Sequence, residues 1–185
     1  MCIKSRACFP LIYWPMTERQ ATLSDGARGH INTCLRNGGT ILVDTRDQNL
    51  SGIGGVGPGA QTLRAMVEGL DIPALLEIPA GDVLTKAFYL LHEFPGRWEG
   101  GRLFVQKPDE RVNDGVSAVI IGANDFAGAW AIDATGRPMF SVQPGSARQR
   151  ELAFRFGVNL VMYALTGNYK ADQVHVDEIL ERLGQ

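Results

Sequence analysis

The sequence lacks a long hydrophobic run, and this lack limits the classes of protein to which it can belong. Its uninterrupted apolar stretches, such as residues 119–121, are far shorter than the roughly 20 residues that cross a bilayer. Pro10 and Pro15 break the apolar stretch near the N-terminus, so we predict neither a transmembrane span nor a signal peptide. We expect a soluble domain that is cytoplasmic as expressed.

Neither sign of charge is in excess. Eighteen Lys and Arg against 20 Asp and Glu give a net charge of −2, and the isoelectric point is about 5.9. Such a balance gives no general attraction to nucleic acid or to an anionic membrane. We therefore expect no nucleic-acid partner.

Cysteine and histidine are scarce, with three of each. The cysteines form no CxxC pair and their number is odd, which fits neither a disulfide framework nor a zinc knuckle. A reducing compartment is the simpler interpretation, with Cys34 in the core. The histidines form no HxH or HxxxH pair, so we expect no metal and no cofactor.

What the sequence does contain is typical of one globular domain. It is 45% hydrophobic and 21% charged over 185 residues, within the ordinary range for globular proteins. We predict a single domain over residues 8–185, preceded by a disordered or tag-like segment over residues 1–7.

Apolar runs alternate with amphipathic stretches along the chain. We predict a buried strand at 8–14, a helix at 25–37 capped by Ser24, a buried strand at 40–44 and a helix at 61–69. Further strands are predicted at 75–78, 88–91, 103–105, 116–121 and 138–142. A long helix runs from a capping box at Ser146 to Gly167, and a short one covers 176–183. Alternating strands and helices predict an α/β fold with three layers and a mostly parallel sheet.

Polar side chains collect where the predicted strands end. In parallel sheets, ligands bind outside the carboxyl ends of the strands, so these side chains are candidates for ligand binding. The candidates are Tyr13, Trp14, Asp44, Arg46, Asp47, His92, Arg97, Asn124 and Asp125. An alternative stays open, in which Asp44 and Asp47 only cap the turn or pair with Arg46.

Two other motifs carry little chemistry. Residues 52–57 match GxGxxG, but seven residues separate Asp44 from the first glycine, so a mobile surface loop is the better interpretation than a dinucleotide site. The predicted turn at 122–128 presents Asn and Asp, with no Ser or Cys nucleophile. Arg148, Arg150, Arg155 and Lys170 could form a basic face, although a solvated face with a Glu151 pair is favoured.

Five phrases of the sequence carry a family resemblance. They are residues 9–15 (FPLIYWP), 35–46 (LRNGGTILVDTR), 94–97 (FPGR), 119–125 (VIIGAND) and 156–170 (FGVNLVMYALTGNYK). They resemble an uncharacterised bacterial domain that ends long membrane proteins with N-terminal parts similar to the aerotolerance-regulator (Bat) proteins. The resemblance runs from about residue 8 to the end of the chain.

The resemblance implies a flavodoxin-like fold of the class I glutamine amidotransferase type, in an inner-membrane parent protein. Members have a further strand and helix before the first phrase, so the first strand of the fold would be missing here and a sheet edge left for a partner. Members carry Asp-His where this chain has Gly81-Asp82. The amidotransferase nucleophile and its His-x-Glu partner are not matched.

Three functions remain open at this stage. The first is a non-catalytic module that binds a small polar ligand or a protein partner, with homo-oligomers possible. The second is a carboxylate- or metal-dependent hydrolase that uses Asp44, Asp47 or Asp125, with His92 or Arg97 stabilising charge. The third, a flavin carrier, is weakest because residues 14–17 offer poor amide donors for a phosphate.

Overall fold

The protein folds around a five-stranded sheet with helices on both faces. The structure, a computed structural model, describes residues 9–53, 56–111 and 115–167. The strands are β1 (Leu11–Pro15), β2 (Thr40–Asp44), β3 (Leu75–Glu77), β4 (Phe104–Gln106) and β5 (Val119–Gly122). The α-helices are α1 (Asp25–Arg36), α2 (Pro58–Met66), α3 (Val83–Lys86), α4 (Phe126–Trp130) and α5 (Ala147–Thr166). Two short 3₁₀ helices cover Gln48–Ile53 and Pro108–Glu110.

The core has two apolar layers, one on each face of the sheet. Alternate residues of β2 point to opposite faces, so Leu42 packs with α5 and α4, whereas Ile41 and Val43 pack beneath α1 and α2. Because β2 and β5 are covered on both faces, they are continuous apolar runs without polar alternation. These observations confirm the α/β class and the helical layers predicted from the sequence.

The helices with clear caps form where the sequence predicts them. Ser24 caps α1 by accepting the amide hydrogen of Ala27, and Ser146 caps α5 by accepting that of Gln149. The second half of the expected capping box does not form, because Oε1 of Gln149 accepts the amide hydrogen of Gly145 and not that of Ser146. Nε2 of Gln149 donates to carbonyls of other loops. Part of the glycine-rich segment forms the 3₁₀ helix Gln48–Ile53, before α2 begins at Pro58.

The sheet is mixed, so the prediction of a mostly parallel sheet is confirmed only in part. Its order is β1-β2-β5-β4-β3, and β4 runs antiparallel to both of its neighbours. Residues 107–118 join β4 to β5, and their described part forms the 3₁₀ helix Pro108–Glu110 but no α-helix, whereas a crossover between parallel neighbours usually contains one. The first strand is also an edge strand and is only half-buried.

Two strand predictions are wrong. Residues 88 and 89 lie in a bend and residues 90 and 91 have no regular structure, because the side chain of Asn159 bonds to both the backbone N–H and the carbonyl of Tyr89, at 2.7 and 2.8 Å. Those groups are therefore not free for a neighbouring strand. Residues 138–142 contribute only a single bridge, between Pro138 and Ile132. The helix predicted at 176–183, His175, Lys170 and residues 1–7 lie outside the described residues.

Cys34 corrects the interpretation of the cysteines. It is buried on α1, as its apolar position predicts, but it is disulfide-bonded. This bond contradicts the expectation of a reduced thiol at Cys34.

Helix α5 is apolar on two sides. Its inner side carries Phe156, Leu160 and Tyr163, which are buried against the sheet. Its outer side carries four exposed apolar residues at helical spacing, which we call the α5 stripe: Phe154, Val158, Val161 and Leu165. Within the three described ranges, no helix combines the length and the apolarity needed to cross a bilayer.

Candidate functional site

The carboxyl ends of β1, β2 and β5 meet at one edge of the sheet. The three strands are parallel and adjacent, so the residues that follow them become neighbours. The amide nitrogen of Asp125, after β5, lies 3.2 Å from Oδ1 of Asp44, the last residue of β2. We call the side chains gathered here the edge cluster: Tyr13, Asp44, Arg46, Arg97, Asn124 and Asp125.

Asp44 is the anchor of the edge cluster. Its side chain is fully buried, and its carboxylate accepts four hydrogen bonds. The Tyr13 hydroxyl and the Phe126 amide donate to Oδ2 at 2.7 Å each, while the amides of Arg46 and Asp125 donate to Oδ1 at 3.1 and 3.2 Å. One carboxylate therefore ties the turns after β2 and β5 to the side chain of β1.

Two residues of the edge cluster have a left-handed backbone. Arg46 has a φ of 63° and Asp125 a φ of 52°, a region that non-glycine residues seldom enter. Such conformations cost about 1–3 kcal/mol each and persist where surrounding contacts fix them. Asp44 supplies those contacts, because it accepts the amide hydrogen of both residues.

Asp125 receives two guanidinium groups. Nε of Arg46 lies 3.0 Å from its Oδ1, and Nη1 of Arg97 lies 3.6 Å from its Oδ2. The Arg97 guanidinium also stacks near two aromatic rings, 4.8 Å from the Trp98 centroid and 5.2 Å from the Phe140 centroid. The carboxylate is buried, whereas both arginine side chains reach solvent.

Asn124 fixes the segment that carries Arg97. Its Nδ2 donates to the carbonyls of Phe94 and Gly101, at 2.7 and 3.3 Å. Gly101 lies so close to the Asn124 amide that a Cβ there would clash with it. Three buried polar side-chain atoms of the described chain have no hydrogen-bond partner. Two of them lie here: Oδ1 of Asn124 and Nε1 of Trp98, the residue whose amide donates to the Asn124 carbonyl. Unpaired buried polar atoms are rare and often mark functional sites.

Three candidate residues lie away from the edge cluster. Trp14 packs against the core layer beneath α1 and α2. Asp47 accepts hydrogen bonds from the Thr45 hydroxyl and the Ala60 amide, so it caps the start of α2. His92 is exposed and lines a separate cavity of about 620 Å³ beyond the end of β3.

Burial raises the pKa of two side chains of the edge cluster, Asp44 and Tyr13. Desolvation raises the pKa of Asp44 above its usual range, against the smaller lowering by its four hydrogen-bond donors. Desolvation also raises the pKa of Tyr13, and the nearby Asp44 charge adds to that effect. The Tyr13 phenol therefore stays protonated and acts as a hydrogen-bond donor.

The raised pKa of Asp44 predicts a pH dependence of stability. An unfolded aspartate titrates near pH 3.9, so the folded protein holds this proton to higher pH than the unfolded chain. The stabilisation that protonation gives is present below that pH and is lost as pH rises through the folded pKa. We expect the unfolding free energy of the wild type to fall, relative to Asp44→Asn, as urea titrations move from pH 3 to pH 7.

Asp133→Asn is the control for this pH dependence. Hydrogen bonds from Thr135 and Arg137 lower the pKa of the exposed Asp133, so its contribution is present above the unfolded pKa and lost as pH falls. The difference between the wild type and Asp133→Asn should change in the opposite direction. A constant difference for Asp44→Asn would contradict the assigned cause.

The sequence alone did not reveal two residues that support Arg97. Nε2 of the buried Gln149 donates to the carbonyls of Gly96, Arg97 and Gln143 at 2.9–3.2 Å, which fixes the backbone beneath the guanidinium. Phe140 supplies one of the two stacking rings. The Ser146 capping box pointed to Gln149, but only to a local role for it.

Two of the four residues of the alternative basic face on α5, Arg150 and Arg155, have partners within the described chain. Both Nη atoms of Arg150 donate to carbonyls, those of Ala129 and Phe140. Arg155 pairs with Glu151, as the favoured interpretation has it, and its guanidinium lies 5.1 Å from the Tyr89 ring centroid. A cavity of about 530 Å³ lies at the amino edge of the sheet, remote from the edge cluster.

The donor set of the described chain does not build a metal site. Among residues 9–53, 56–111 and 115–167, no group of three His, Cys, Asp or Glu side chains could hold an ion. The edge cluster instead offers hydrogen-bond donors to solvent, from two guanidinium groups.

Comparison with known proteins gives a family. Residues 5–165 match the sequence profile of a family described as Domain of unknown function (DUF4159). No curated protein matches the chain.

Proposed function

The chain belongs to the DUF4159 family of domains of unknown function, and from this premise we propose that it is a non-catalytic binding module. It holds a small polar ligand, or a polar segment of a partner protein, at the edge cluster. The observation that carries the proposal is that Arg46 and Arg97 present donors to solvent while Asp44 and Asp125 are buried.

The occupied carboxylates support a non-catalytic role. Asp44 accepts four hydrogen bonds, Asp47 caps α2, and Asp125 is held between two arginines. A general base must be within reach of a substrate proton, and all three of these carboxylates are buried. The hydrolase alternative would therefore require a substrate to reach beneath the protein surface.

The turn after β5 also lacks a nucleophile. Residues 122–128 lead from β5 into α4, as a nucleophile elbow would, but they present Asn124 and Asp125 in place of Ser or Cys. We extend the proposal to kinship: a flavodoxin-like scaffold of the glutamine amidotransferase type, without glutaminase activity, carried by a membrane-anchored parent protein. The three parallel strands with helices on both faces support this kinship.

Chemical-shift mapping tests the binding proposal. The ¹⁵N-labelled protein is titrated with mixtures of amino acids, organic acids, sugars and amides. Shifts are expected at the amides of Arg46, Arg97 and Asp125, and not at Gly38 or Asp71 beside the cavity at the opposite edge. The proposal is contradicted if the compounds shift only the control amides, or if neither a compound nor a partner segment shifts the amides of the edge cluster.

Activity and metal assays test the non-catalytic part. We expect no glutamine or ester hydrolysis, and no stabilisation by Mg²⁺, Mn²⁺ or Ca²⁺ in thermal-shift measurements. Hydrolysis that disappears in Asp125→Ala would establish the hydrolase alternative.

The second candidate function is self-association through the α5 stripe. Exposed apolar patches of this kind mark interaction surfaces. The stripe runs straight along one helix and contains no charge, so two copies can pair it across a twofold axis without like-charge repulsion. A second copy of the chain is the occupant that we propose.

Sedimentation equilibrium tests self-association. We expect a concentration-dependent dimer that Val161→Lys abolishes, because a charge on the stripe would be buried at the interface. Arg148→Ala, at the exposed start of the same helix, is the control and should leave the dimer intact. A wild-type monomer at all concentrations would contradict this candidate.

A further inference from the structure

We infer, on the basis of the proposed function, that the ligand of the edge cluster is an oxyanion, a carboxylate or a phosphate group, and that the guanidinium groups of Arg46 and Arg97 bind it. The inference rests on the position of both guanidinium groups, on the hydrogen-bond donors they retain, and on the backbone that holds them.

The two guanidinium groups lie on the two oxygens of one carboxylate. Arg46 approaches Oδ1 of Asp125 and Arg97 approaches Oδ2, at 3.0 and 3.6 Å. The two arginine side chains are 42% and 29% exposed, whereas the Asp125 side chain is 5% exposed. A ligand that reaches this surface therefore meets the cations and not the carboxylate between them.

Both guanidinium groups retain N–H donors that are free to bind a ligand. A guanidinium has five N–H donors and no acceptor. Asp125 contacts one nitrogen of each guanidinium, Nε of Arg46 and Nη1 of Arg97. Nε of Arg97 donates to the Ser141 carbonyl at 3.4 Å. Both Nη atoms of Arg46 and Nη2 of Arg97 have no hydrogen-bond partner among the residues that the structure describes. Because a guanidinium can only donate hydrogen bonds, it favours ligands that accept them. Its forked N–H groups match the oxygens of a carboxylate or a phosphate.

The backbone beneath both arginines is fixed in advance. Arg46 is held in a left-handed conformation by the bond from its amide to Asp44. The amide of Arg97 donates to the Asp125 carbonyl at 3.1 Å, and its own carbonyl accepts from the Gln143 amide at 2.7 Å. The edge cluster holds two carboxylates and two guanidinium groups, and of these only the guanidinium groups reach solvent. Two pre-oriented guanidinium groups reduce the ordering cost of binding, as an anion site requires.

Isothermal titration of the full chain tests the inference, with inorganic phosphate, acetate and neutral acetamide as probes at constant ionic strength. Phosphate or acetate should bind and acetamide should not; binding of only one of the two anions identifies the preferred class. Arg46→Gln and Arg97→Gln should each weaken binding about tenfold or more, the effect of losing charge-assisted hydrogen bonds. Arg102→Gln, which removes an exposed guanidinium paired with Glu77, should bind as the wild type does.

Asp125→Asn distinguishes an anion site from a structural ion pair. Asparagine tolerates the left-handed backbone of this position, and the substitution removes the charge that competes with the ligand. We expect affinity for the anion to rise several-fold. Circular dichroism and unfolding curves of each variant verify that it is folded. Absence of binding by both anions, wild-type affinity in both arginine variants, or no gain in Asp125→Asn would overturn the inference.

The proposed function can fail separately. A neutral polar compound that binds at the edge cluster, with phosphate and acetate silent, would overturn the anion class and leave the binding module standing. If no compound and no partner segment perturbs the edge cluster, both fail.

Discussion

Replacing Asp44 with alanine should lower the free energy of unfolding by about 4 kcal/mol, because it leaves several buried donors without an acceptor at once. The carboxylate accepts from the Tyr13 hydroxyl and from the amides of Arg46, Asp125 and Phe126, all within 3.2 Å. Each buried donor left unpaired costs about 1–3 kcal/mol, and relaxation of the two turns recovers part of the sum. Urea denaturation of the variant and the wild type at pH 7 measures the difference.

Two milder substitutions show how much each group of hydrogen bonds contributes to the loss expected for Asp44→Ala. Tyr13→Phe removes one donor to the carboxylate and the hydroxyl that accepts the Ala127 amide hydrogen, and it leaves Asp44 with its three amide partners, so about 1–2 kcal/mol should be lost. Asp44→Asn keeps one acceptor oxygen for two of the amides but sets its NH₂ group against the amide of Phe126. Its loss in the free energy of unfolding should therefore lie between those of Tyr13→Phe and Asp44→Ala. If Asp44→Ala cost no more than Tyr13→Phe, Asp44 would not be the anchor of the edge cluster.

The elements that the sequence predicts well have signals within a few residues. A serine cap and a stripe of apolar positions define both α1 and α5, and the unbroken apolar run of β2 predicts a strand covered on both faces. The direction of β4 has no such signal, because residues 104–106 form the same local pattern whether they pair parallel or antiparallel. Tertiary connections decide that direction. Likewise, the pattern at residues 88–91 does not show that Asn159, seventy positions later, takes the backbone bonds of Tyr89.

The same distinction applies to the site. The rule for parallel strand ends predicted that Asp44 and Asp125 would be near each other, and the structure brings them together. The rule could not show that Tyr13 joins the edge cluster and Trp14 does not. Neighbouring residues of a strand point to opposite faces of the sheet, and only Tyr13 faces the α4–α5 layer. It also did not show that Phe140 stacks on Arg97, because long loops bring those residues together.

The buried ion pair between Arg111 and Asp82 carries the second large prediction. Their side chains are 3% and 1% exposed, and Nη2 lies 2.7 Å from Oδ2. Arg111 also donates to the carbonyls of Gln106 and Gly115, and Asp82 caps α3 through the Leu84 amide. Removing one partner of a buried pair leaves an uncompensated charge, so Arg111→Met should cost about 3–5 kcal/mol in the free energy of unfolding.

The chain contains a matched control for this pair. Nη1 of Arg36 lies the same 2.7 Å from Oδ2 of Asp71, but those side chains are 64% and 57% exposed. Solvent screens exposed pairs, so Arg36→Met should cost at most about 1 kcal/mol, although the two pairs share one distance. Combining Arg111→Met with Asp82→Asn removes both charges and keeps a cap on α3, and should recover part of the loss. Equal costs for the two single variants would show that burial does not set the strength of the Arg111 pair.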